Sequence, residues 1–217
     1  YQHLNYYYPD IVIPPTYLYI SGIDYNVPSV MIDERGVVIA LDFYLSNEDG
    51  IYDYVGMPRF RSLRCNPSYI TRDLAESIYL GYIERPQPQG DVLTEMIKSG
   101  KRLYFIEAMN PSLPDSVLLG YSEKQMNWVK QHEGDVWASL VGNDMLYAKN
   151  AELFRTYFGD GPFTQPYSQE APARLGEFVG LQIIRSYMTN NDVTMQEMLR
   201  DNDIQQIFQH SQYKPKS

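Results

Sequence analysis

The stretch SVMIDERGVVIALDFYL, residues 29–45, decides the fold class, because two β-rich runs flank a short polar turn. The runs at residues 29–33 and 37–44 are rich in β-branched and aromatic side chains, which favours strands. The second run begins with apolar residues only, as expected of a strand that is covered on both faces. Gly36 closes the turn between the runs and is free to take a positive φ. The stretch therefore predicts a β-hairpin.

The segments on either side of the hairpin differ in their periodicity. Before it, the segment DIVIPPTYLYISG at residues 10–22 has residues that favour a strand, interrupted by Pro14 and Pro15. Proline donates no hydrogen bond to a neighbouring strand, so these residues fit an edge strand or a bulge. After Pro67 the apolar residues recur at a helical spacing of four, at Ile70, Leu74, Ile78 and Tyr82.

The rest of the chain predicts helices. Residues 92–98 form a short amphipathic pattern that Gly100 closes, whereas RLYFIEAM at 102–109 fits either a strand or a buried helical turn. Capping residues mark further helix starts, at Ser122, Thr194 with Glu197, and Asp203. The sequence therefore predicts an α+β fold, a small N-terminal sheet followed by a mainly helical body, as one domain over residues 1–217.

The overall charge limits the partners of the protein. The 217 residues carry a formal net charge of −9, and nucleic-acid binding without sequence preference needs a basic surface. The same charge disfavours adhesion of the folded surface to anionic lipid. No run approaches the roughly 20 apolar residues that cross a bilayer. We therefore expect no nucleic-acid partner and no membrane contact by the folded domain itself.

The sequence lacks the common catalytic motifs. AESIY at residues 75–79 keeps the glutamate of the zinc-peptidase motif His-Glu-x-x-His but neither histidine, and Val136 ends a similar match that starts at His132. No Gly-x-Ser-x-Gly marks a serine nucleophile. The residues that could bind a transition metal through nitrogen or sulfur are far apart in sequence, at His3, His132, His210 and Cys65. We predict no catalytic residues, no bound metal and no cofactor.

Two further patterns concern packing and surface. GEFVG at residues 176–180 places two glycines on one helix face, which predicts close packing of that helix on another helix or on the sheet. The chain contains 20 tyrosines, and the densest cluster is YQHLNYYYP at residues 1–9. Such a cluster fits either packing on the hairpin or a surface that binds carbohydrate or peptide, because tyrosine combines a flat ring with a hydroxyl.

The C-terminal block APARLGEFVGLQIIRSYMTNNDVTMQEMLRDNDIQQIFQHSQYKP, residues 171–215, resembles the gliding-motility lipoprotein GldB family of Bacteroidetes. Four other segments agree with that family in the same order: YYYPDIVIPPTYLYISGID, VVIALDFYL, LTEMIKSGKRLYFIEAMNPSLPDSVLLGYSEKQMNWV and GPFTQPYSQEAPARLG. The resemblance implies a cell-envelope lipoprotein that faces the periplasm and has a role in motility or envelope secretion. It also implies an acylated cysteine that precedes Tyr1 and is the only attachment to the membrane.

That family is similar in turn to predicted zinc-dependent proteases with a zincin-like fold, which implies the same fold here. In the matching register Ala75, Tyr79 and Ser99 take the places of the three zinc ligands, and Glu76 takes the place of the general base. Alanine has no donor atom, and tyrosine, with a pKa near 10, is a poor ligand at neutral pH. A carboxylate without the metal does not activate water.

These observations favour a non-catalytic lipoprotein domain of the cell envelope that binds an envelope protein or another envelope component. Two alternatives stay open: a zincin-like hydrolase or protease with an atypical metal site built from carboxylates or other oxygen ligands, and a glycan-binding module. We predict that the binding cleft is formed by Glu76, Tyr79, Arg174, Tyr121 and Trp128.

Overall fold

A computed structural model describes residues 1–46, 50–85 and 88–215 of the chain. Its contacts divide the chain into two compact units. Unit 1 comprises Tyr1–Arg85 and Ile106–Gly120, and unit 2 comprises Pro86–Phe105 and Tyr121–Ser217. That the whole chain acts as one domain stays a prediction.

Unit 1 contains the sheet, whose described strands are β1 (Thr16–Tyr19), β2 (Val30–Asp33) and β3 (Gly36–Ala40). They lie in the order β1–β3–β2, with β1 parallel and β2 antiparallel to β3. The predicted hairpin is confirmed, and so is the edge position of the strand that follows the two prolines. Strand β3 is central and mostly buried, as its apolar sequence predicts.

Helices make up most of the remaining structure. The described α-helices are α1 (Gln2–Tyr7), α2 (Ile51–Tyr54), α3 (Arg59–Ser62), α4 (Ile70–Ile78), α5 (Val92–Met109), α6 (Asp115–Leu119), α7 (Glu123–Gln131), α8 (Glu133–Gly142), α9 (Ala151–Phe158), α10 (Leu175–Asn190), α11 (Met195–Arg200) and α12 (Ile204–Ser211). The predicted α+β fold, a small sheet followed by a mainly helical body, is confirmed. The zincin-like assignment stays a prediction. Over the ranges that the structure describes, no helix combines the length and the apolar composition needed to cross a membrane.

Each unit has its own apolar core. In unit 1 the buried cluster joins the inner face of the sheet to the helices that follow it, and includes Val30, Val37, Ile39, Tyr52, Met57 and Tyr69. In unit 2 the long helices α5 and α10 contribute side chains that are fully inaccessible to solvent, among them Leu93, Met96, Val179 and Ile183. Burial of apolar surface is the main stabilising contribution to both units.

Strand β3 is shorter than the predicted run of residues 37–44, because a 3₁₀ turn at Leu41–Phe43 follows it. Asp42 lies in this turn, and its buried carboxylate accepts hydrogen bonds from the backbone N–H groups of Gly22 at 2.7 Å and Ile23 at 3.0 Å. Burial acts to raise the pKa of Asp42, but these hydrogen bonds outweigh it and the pKa is lowered. The turn thus holds the loop after β1.

Helix α4 continues into a π turn, Tyr79–Ile83, which the apolar spacing did not predict. Gly81 in this turn lies against the sheet, since a Cβ atom there would come within 2.6 Å of Ile32 Cγ2. A π turn holds more residues than an α turn. It therefore rotates Tyr82 away from the buried face that an uninterrupted α-helix would have given it. Tyr82, the last residue of the apolar spacing of four, is 45% exposed.

The prediction that Gly100 ends a helix is wrong, because α5 runs through it and includes residues 102–109. Gly100 lies where α5 crosses α10. A Cβ atom at Gly100 would come within 2.2 Å of the Gly180 carbonyl oxygen, and one at Gly180 within 1.9 Å of the Met96 carbonyl oxygen. The close packing predicted from the two glycines of α10 is therefore confirmed, and the partner is a helix.

The predicted capping residues of unit 2 are confirmed. Ser122 and Thr194 each form a reciprocal capping box, at the starts of α7 and α11. The Glu197 N–H donates to Thr194 Oγ1 at 3.2 Å, and the Thr194 N–H donates to the Glu197 carboxylate at 2.8 Å. Asp203 caps α12 through its side chain. These bonds satisfy backbone groups that have no partner inside the helix.

Candidate functional site

The residues that match the zinc-peptidase motif lie in α4 and at the start of the π turn, in unit 1. Ala75 and Tyr79 are buried, at 3% and 6% exposure. The Glu76 carboxylate accepts a hydrogen bond from Nη1 of Arg72, one helical turn earlier. Glu76 is therefore held as the partner of a cation.

Arg72 is the centre of a buried polar cluster in unit 1. Its guanidinium also donates to Asp73 Oδ1 at 3.0 Å and to the Leu118 carbonyl oxygen at 3.3 Å. Burial acts to lower the pKa of Arg72, but Glu76 and Asp73 outweigh it and the pKa is raised. Burial also raises the pKa of Asp73, which accepts a hydrogen bond from the Tyr44 hydroxyl at 2.8 Å. The arrangement keeps the arginine charged and fixes both carboxylates.

The donor set at the three predicted ligand positions does not fit zinc. Ala75 offers no donor atom, and Tyr79 and Ser99 offer only hydroxyl groups. Burial raises the pKa of the Cys65 thiol to about 11, so this cysteine is protonated at neutral pH. Among residues 1–46, 50–85 and 88–215, no group of three or more histidine, cysteine, aspartate or glutamate side chains is placed to hold a metal ion.

The structure brings together two of the predicted cleft residues in unit 2. The Tyr121 hydroxyl lies 2.9 Å from the carbonyl oxygen of Ala173 and 3.2 Å from that of Arg174. Arg174 has a left-handed backbone, with φ of 59°, immediately before α10. Burial raises the pKa of Tyr121, which therefore stays protonated and donates to this turn. Trp128, also buried, stacks on the ring of His132 with centroids 4.4 Å apart.

The five predicted residues are thus divided between the two units. Glu76 and Tyr79 belong to unit 1, whereas Arg174, Tyr121 and Trp128 belong to unit 2. A common cleft formed by all five stays a prediction.

The tyrosines of residues 1–9 lie in and around α1 in unit 1. The Tyr1 hydroxyl lies 2.5 Å from Thr16 Oγ1, at the start of strand β1. Tyr6 is 79% exposed and contacts the ring of Tyr7 edge to face. Part of the cluster therefore packs next to the sheet and part faces solvent, and carbohydrate binding by these tyrosines stays a prediction.

Unit 2 contains a groove of about 480 Å³ between α5, α9 and α10, which we call the α5–α9–α10 groove. Helix α5 contributes Glu95, Lys98, Ser99 and Arg102 to its lining. These positions are spaced by three or four residues and so share one face of the helix. The polar face of α5 therefore forms one side of the groove.

The other sides come from α9, from α10 and from Gln89, which precedes α5. Phe154 and Phe158 lie one turn apart on α9 and add two aromatic rings, and α10 adds Glu177 from its first turn. A Cβ atom at Gly176 would come within 2.6 Å of the Phe158 ring. The absence of a side chain at Gly176 thus lets this ring lie directly on the start of α10, next to Glu177.

The charged groups of the groove form ion pairs. Lys98 Nζ lies 3.1 Å from Glu95 Oε1, and Arg102 Nη2 lies 2.9 Å from Glu177 Oε1. Arg174 Nη1 lies 3.5 Å from the other oxygen of Glu177, so a predicted residue connects to the groove through this glutamate. The two cations and two anions of the lining sum to no net charge. Each side chain is held in place by its partner.

The sequence patterns do not predict this groove. None of the five predicted residues is among the described residues that line it. The signal was present in the polar spacing of Glu95, Lys98, Ser99 and Arg102, but it is recognisable only if the helix continues through Gly100. The wrong helix end therefore concealed the site.

Comparison with known proteins gives the family of the chain. No curated protein and no solved structure matches it. The model of one protein family, described as "Gliding motility protein GldB", matches residues 1–215 and so covers both units. The chain therefore belongs to the gliding motility protein GldB family, a family of gliding-motility-associated lipoproteins of the cell envelope.

Proposed function

We propose that the chain binds a component of the cell envelope in the α5–α9–α10 groove and catalyses no reaction. In this proposal a lipid anchor holds the domain on the periplasmic side of a membrane, where the groove meets its ligand. The observation that carries the proposal is the groove itself, which combines two aromatic rings with four charged side chains in a volume of about 480 Å³.

The groove is large enough to hold a small molecule. Its volume lies within the range of about 300–1,000 Å³ that is typical of small-molecule sites. Both ion pairs are formed within the groove, so Lys98 and Arg102 are already positioned. Side chains that are ordered before binding lose less conformational entropy when a ligand arrives, which favours affinity.

The state of Glu76 supports a non-catalytic role. A general base needs a free carboxylate near the water that it activates, and the carboxylate of Glu76 instead accepts a hydrogen bond from the buried Arg72. The ligand positions next to it, Ala75 and Tyr79, are buried and do not fit zinc. A hydrolase built on the zinc-peptidase motif therefore has no support in the geometry of α4.

The proposal is tested in a gliding bacterium whose own gene is replaced by a variant. Phe154→Ala combined with Lys98→Ala removes one ring and one cation from the groove lining. We expect the variant protein to accumulate normally and gliding to be lost, measured as cell movement on glass and spreading of colonies.

The matched control is Tyr147→Ala combined with Lys130→Ala, which removes an exposed ring and an exposed cation elsewhere in unit 2. We expect this control to glide normally. If cells with the folded groove variant glide as well as the control cells, the groove has no role and the proposal is wrong.

A further inference from the structure

The α5–α9–α10 groove has one apolar side, made by two phenylalanines of α9. The ring centroids of Phe154 and Phe158 lie 6.1 Å apart, with their planes tilted by 32°. Neighbouring rings of this kind present an apolar wall. The face of an aromatic ring is electron-rich and attracts the weakly positive hydrogen atoms of C–H groups. A ligand with a flat face of C–H groups fits this side.

The other sides are polar and carry both donors and acceptors. Lys98 and Arg102 donate hydrogen bonds, whereas Glu95 and Glu177 accept them, and Ser99 does both. A wholly apolar ligand, such as an acyl chain, would separate these groups from water without replacing its hydrogen bonds, which is costly. The ligand must therefore be able to donate and accept hydrogen bonds at several positions.

The ion pairs argue against a charged ligand. Arg102 already binds the carboxylate of Glu177 at 2.9 Å, and the Glu177 side chain is only 10% exposed. Lys98 is paired with Glu95 at 3.1 Å. A phosphate or carboxylate ligand would compete with these glutamates for the two cations, and a displaced glutamate would lie unpaired in a partly buried site, which costs free energy. An uncharged ligand leaves both pairs intact.

A saccharide meets all three conditions. Its rings carry C–H groups on their faces, its hydroxyl groups both donate and accept hydrogen bonds, and a neutral sugar has no charge to balance. We infer that the α5–α9–α10 groove binds an uncharged saccharide, with a sugar ring on Phe154 and Phe158 and its hydroxyl groups on the paired charges. This inference rests on the proposed binding function of the same groove.

The experiment is a calorimetric titration of the whole chain with a panel of neutral oligosaccharides, namely the disaccharide of N-acetylglucosamine, maltotriose and mannotriose. We expect at least one of them to bind. Phe154→Ala should then weaken binding by about fivefold, because an aromatic contact contributes about 1 kcal/mol. Lys98→Ala should weaken it as well, and circular dichroism should show that both variants fold.

Two controls locate the site. Tyr147→Ala removes an exposed ring of unit 2 and should leave the affinity unchanged. Tyr6→Ala removes the most exposed ring of the N-terminal tyrosine cluster and should also have no effect. Weaker binding by Tyr6→Ala together with unchanged binding by Phe154→Ala would place the sugar on the tyrosines and overturn the inference.

The outcome separates this inference from the proposed function. In one outcome none of the neutral sugars binds, but inorganic phosphate or a short acidic peptide does, and the Phe154→Ala, Lys98→Ala double variant weakens that binding. The ligand class is then wrong, and the groove is still a binding site. If no probe binds and cells with the double variant glide normally, both the inference and the proposed function are wrong.

Discussion

Arg72 determines what Glu76 does in the folded chain. A buried guanidinium needs charged acceptors, and Glu76 and Asp73 supply them. Glutamine at position 76 still accepts a hydrogen bond but carries no charge, so the buried arginine loses one of its two carboxylate partners. We therefore expect Glu76→Gln to lower the free energy of unfolding by about 1–3 kcal/mol, measured by chemical denaturation at neutral pH.

Glu95→Gln is the matched control for this variant. It removes a carboxylate from an ion pair with Lys98 whose side chains are both more than a fifth exposed, and we expect a change of about 0.5 kcal/mol or less. A gain in stability on Glu76→Gln would instead support a catalytic Glu76. Strained active-site groups are replaced with a gain in stability, so a more stable Glu76→Gln protein that had also lost a hydrolytic activity would contradict the non-catalytic role.

Lys101 is a buried lysine of α5 whose ammonium donates a hydrogen bond to the Asp201 carbonyl oxygen. Burial lowers the pKa of Lys101 from 10.5 to about 8, although the charge of Asp201 acts in the opposite direction. Between these two values the unfolded chain keeps a proton that the folded chain has released. Stability must therefore rise with pH in this window, and the cost of burying the charge is present in full below about pH 8.

The measurement compares the free energy of unfolding of the native chain with that of Lys101→Met. From about pH 7 to about pH 9, we expect the native chain to gain about 1 kcal/mol relative to the variant. Lys130→Met, at an exposed lysine of α7, is measured in the same way and corrects for pH effects from other groups. If the stability of the native chain relative to Lys101→Met stays constant or falls as the pH rises, burial does not lower the pKa of Lys101.

At the scale of helices, the crossing of α5 and α10 depends on the absence of side chains. Gly180→Ala would place a methyl group within 1.9 Å of the Met96 carbonyl oxygen, and backbone cannot move aside as a flexible side chain does. We expect this substitution to lower the free energy of unfolding by about 3 kcal/mol, as overpacking does, measured by denaturant titration.

The control for this crossing is Gly142→Ala, at the last residue of α8. Apart from the adjoining residues and the backbone of α8 itself, no described atom lies within 4 Å of a Cβ atom at that position. Alanine has the higher helix propensity, so this substitution should be neutral or stabilise the chain by up to about 1 kcal/mol. Equal effects at the two glycines would mean that α5 and α10 do not touch through their backbones.

Local signals predicted the elements whose causes lie within a few residues. The hairpin around Gly36, the edge strand after Pro14 and Pro15, and the caps at Ser122 and Thr194 are of this kind, because a turn or a cap is formed by neighbouring residues. A contact between distant residues decides the rest. Gly100 continues a helix because Gly180 lies against it, and the spacing of α5 alone does not contain that information.

The site was less predictable than the fold for the same reason. The groove combines Gln89 with residues of three helices, and its two phenylalanines carry no motif in the sequence. Arg174 was predicted as a cleft residue, and its connection to the groove runs through Glu177. The resemblance of the whole chain gave the family, but the further similarity to zinc-dependent proteases directed the predicted cleft to α4, where the motif keeps only its glutamate.

For the molecule as a whole, metal content is the property that best separates the remaining functions. We expect the protein, purified without chelators, to contain far less than one equivalent of zinc by elemental analysis, because Ala75 supplies no donor and the Cys65 thiol is protonated. Addition of zinc should leave the melting temperature unchanged. One tightly bound zinc per chain, lost together with a peptidase activity on chelation, would establish a hydrolase.

The glycine crossing also has a consequence for biosynthesis. A ribosome makes α5 long before it makes α10, so the face of α5 around Met96 has no partner until most of the chain has been synthesised. A truncated product that ends before α10 would leave this apolar face of α5 exposed to chaperones and proteases. Nonsense mutations anywhere upstream of α10 should therefore behave as complete losses of the gene, with no stable fragment left in the cell.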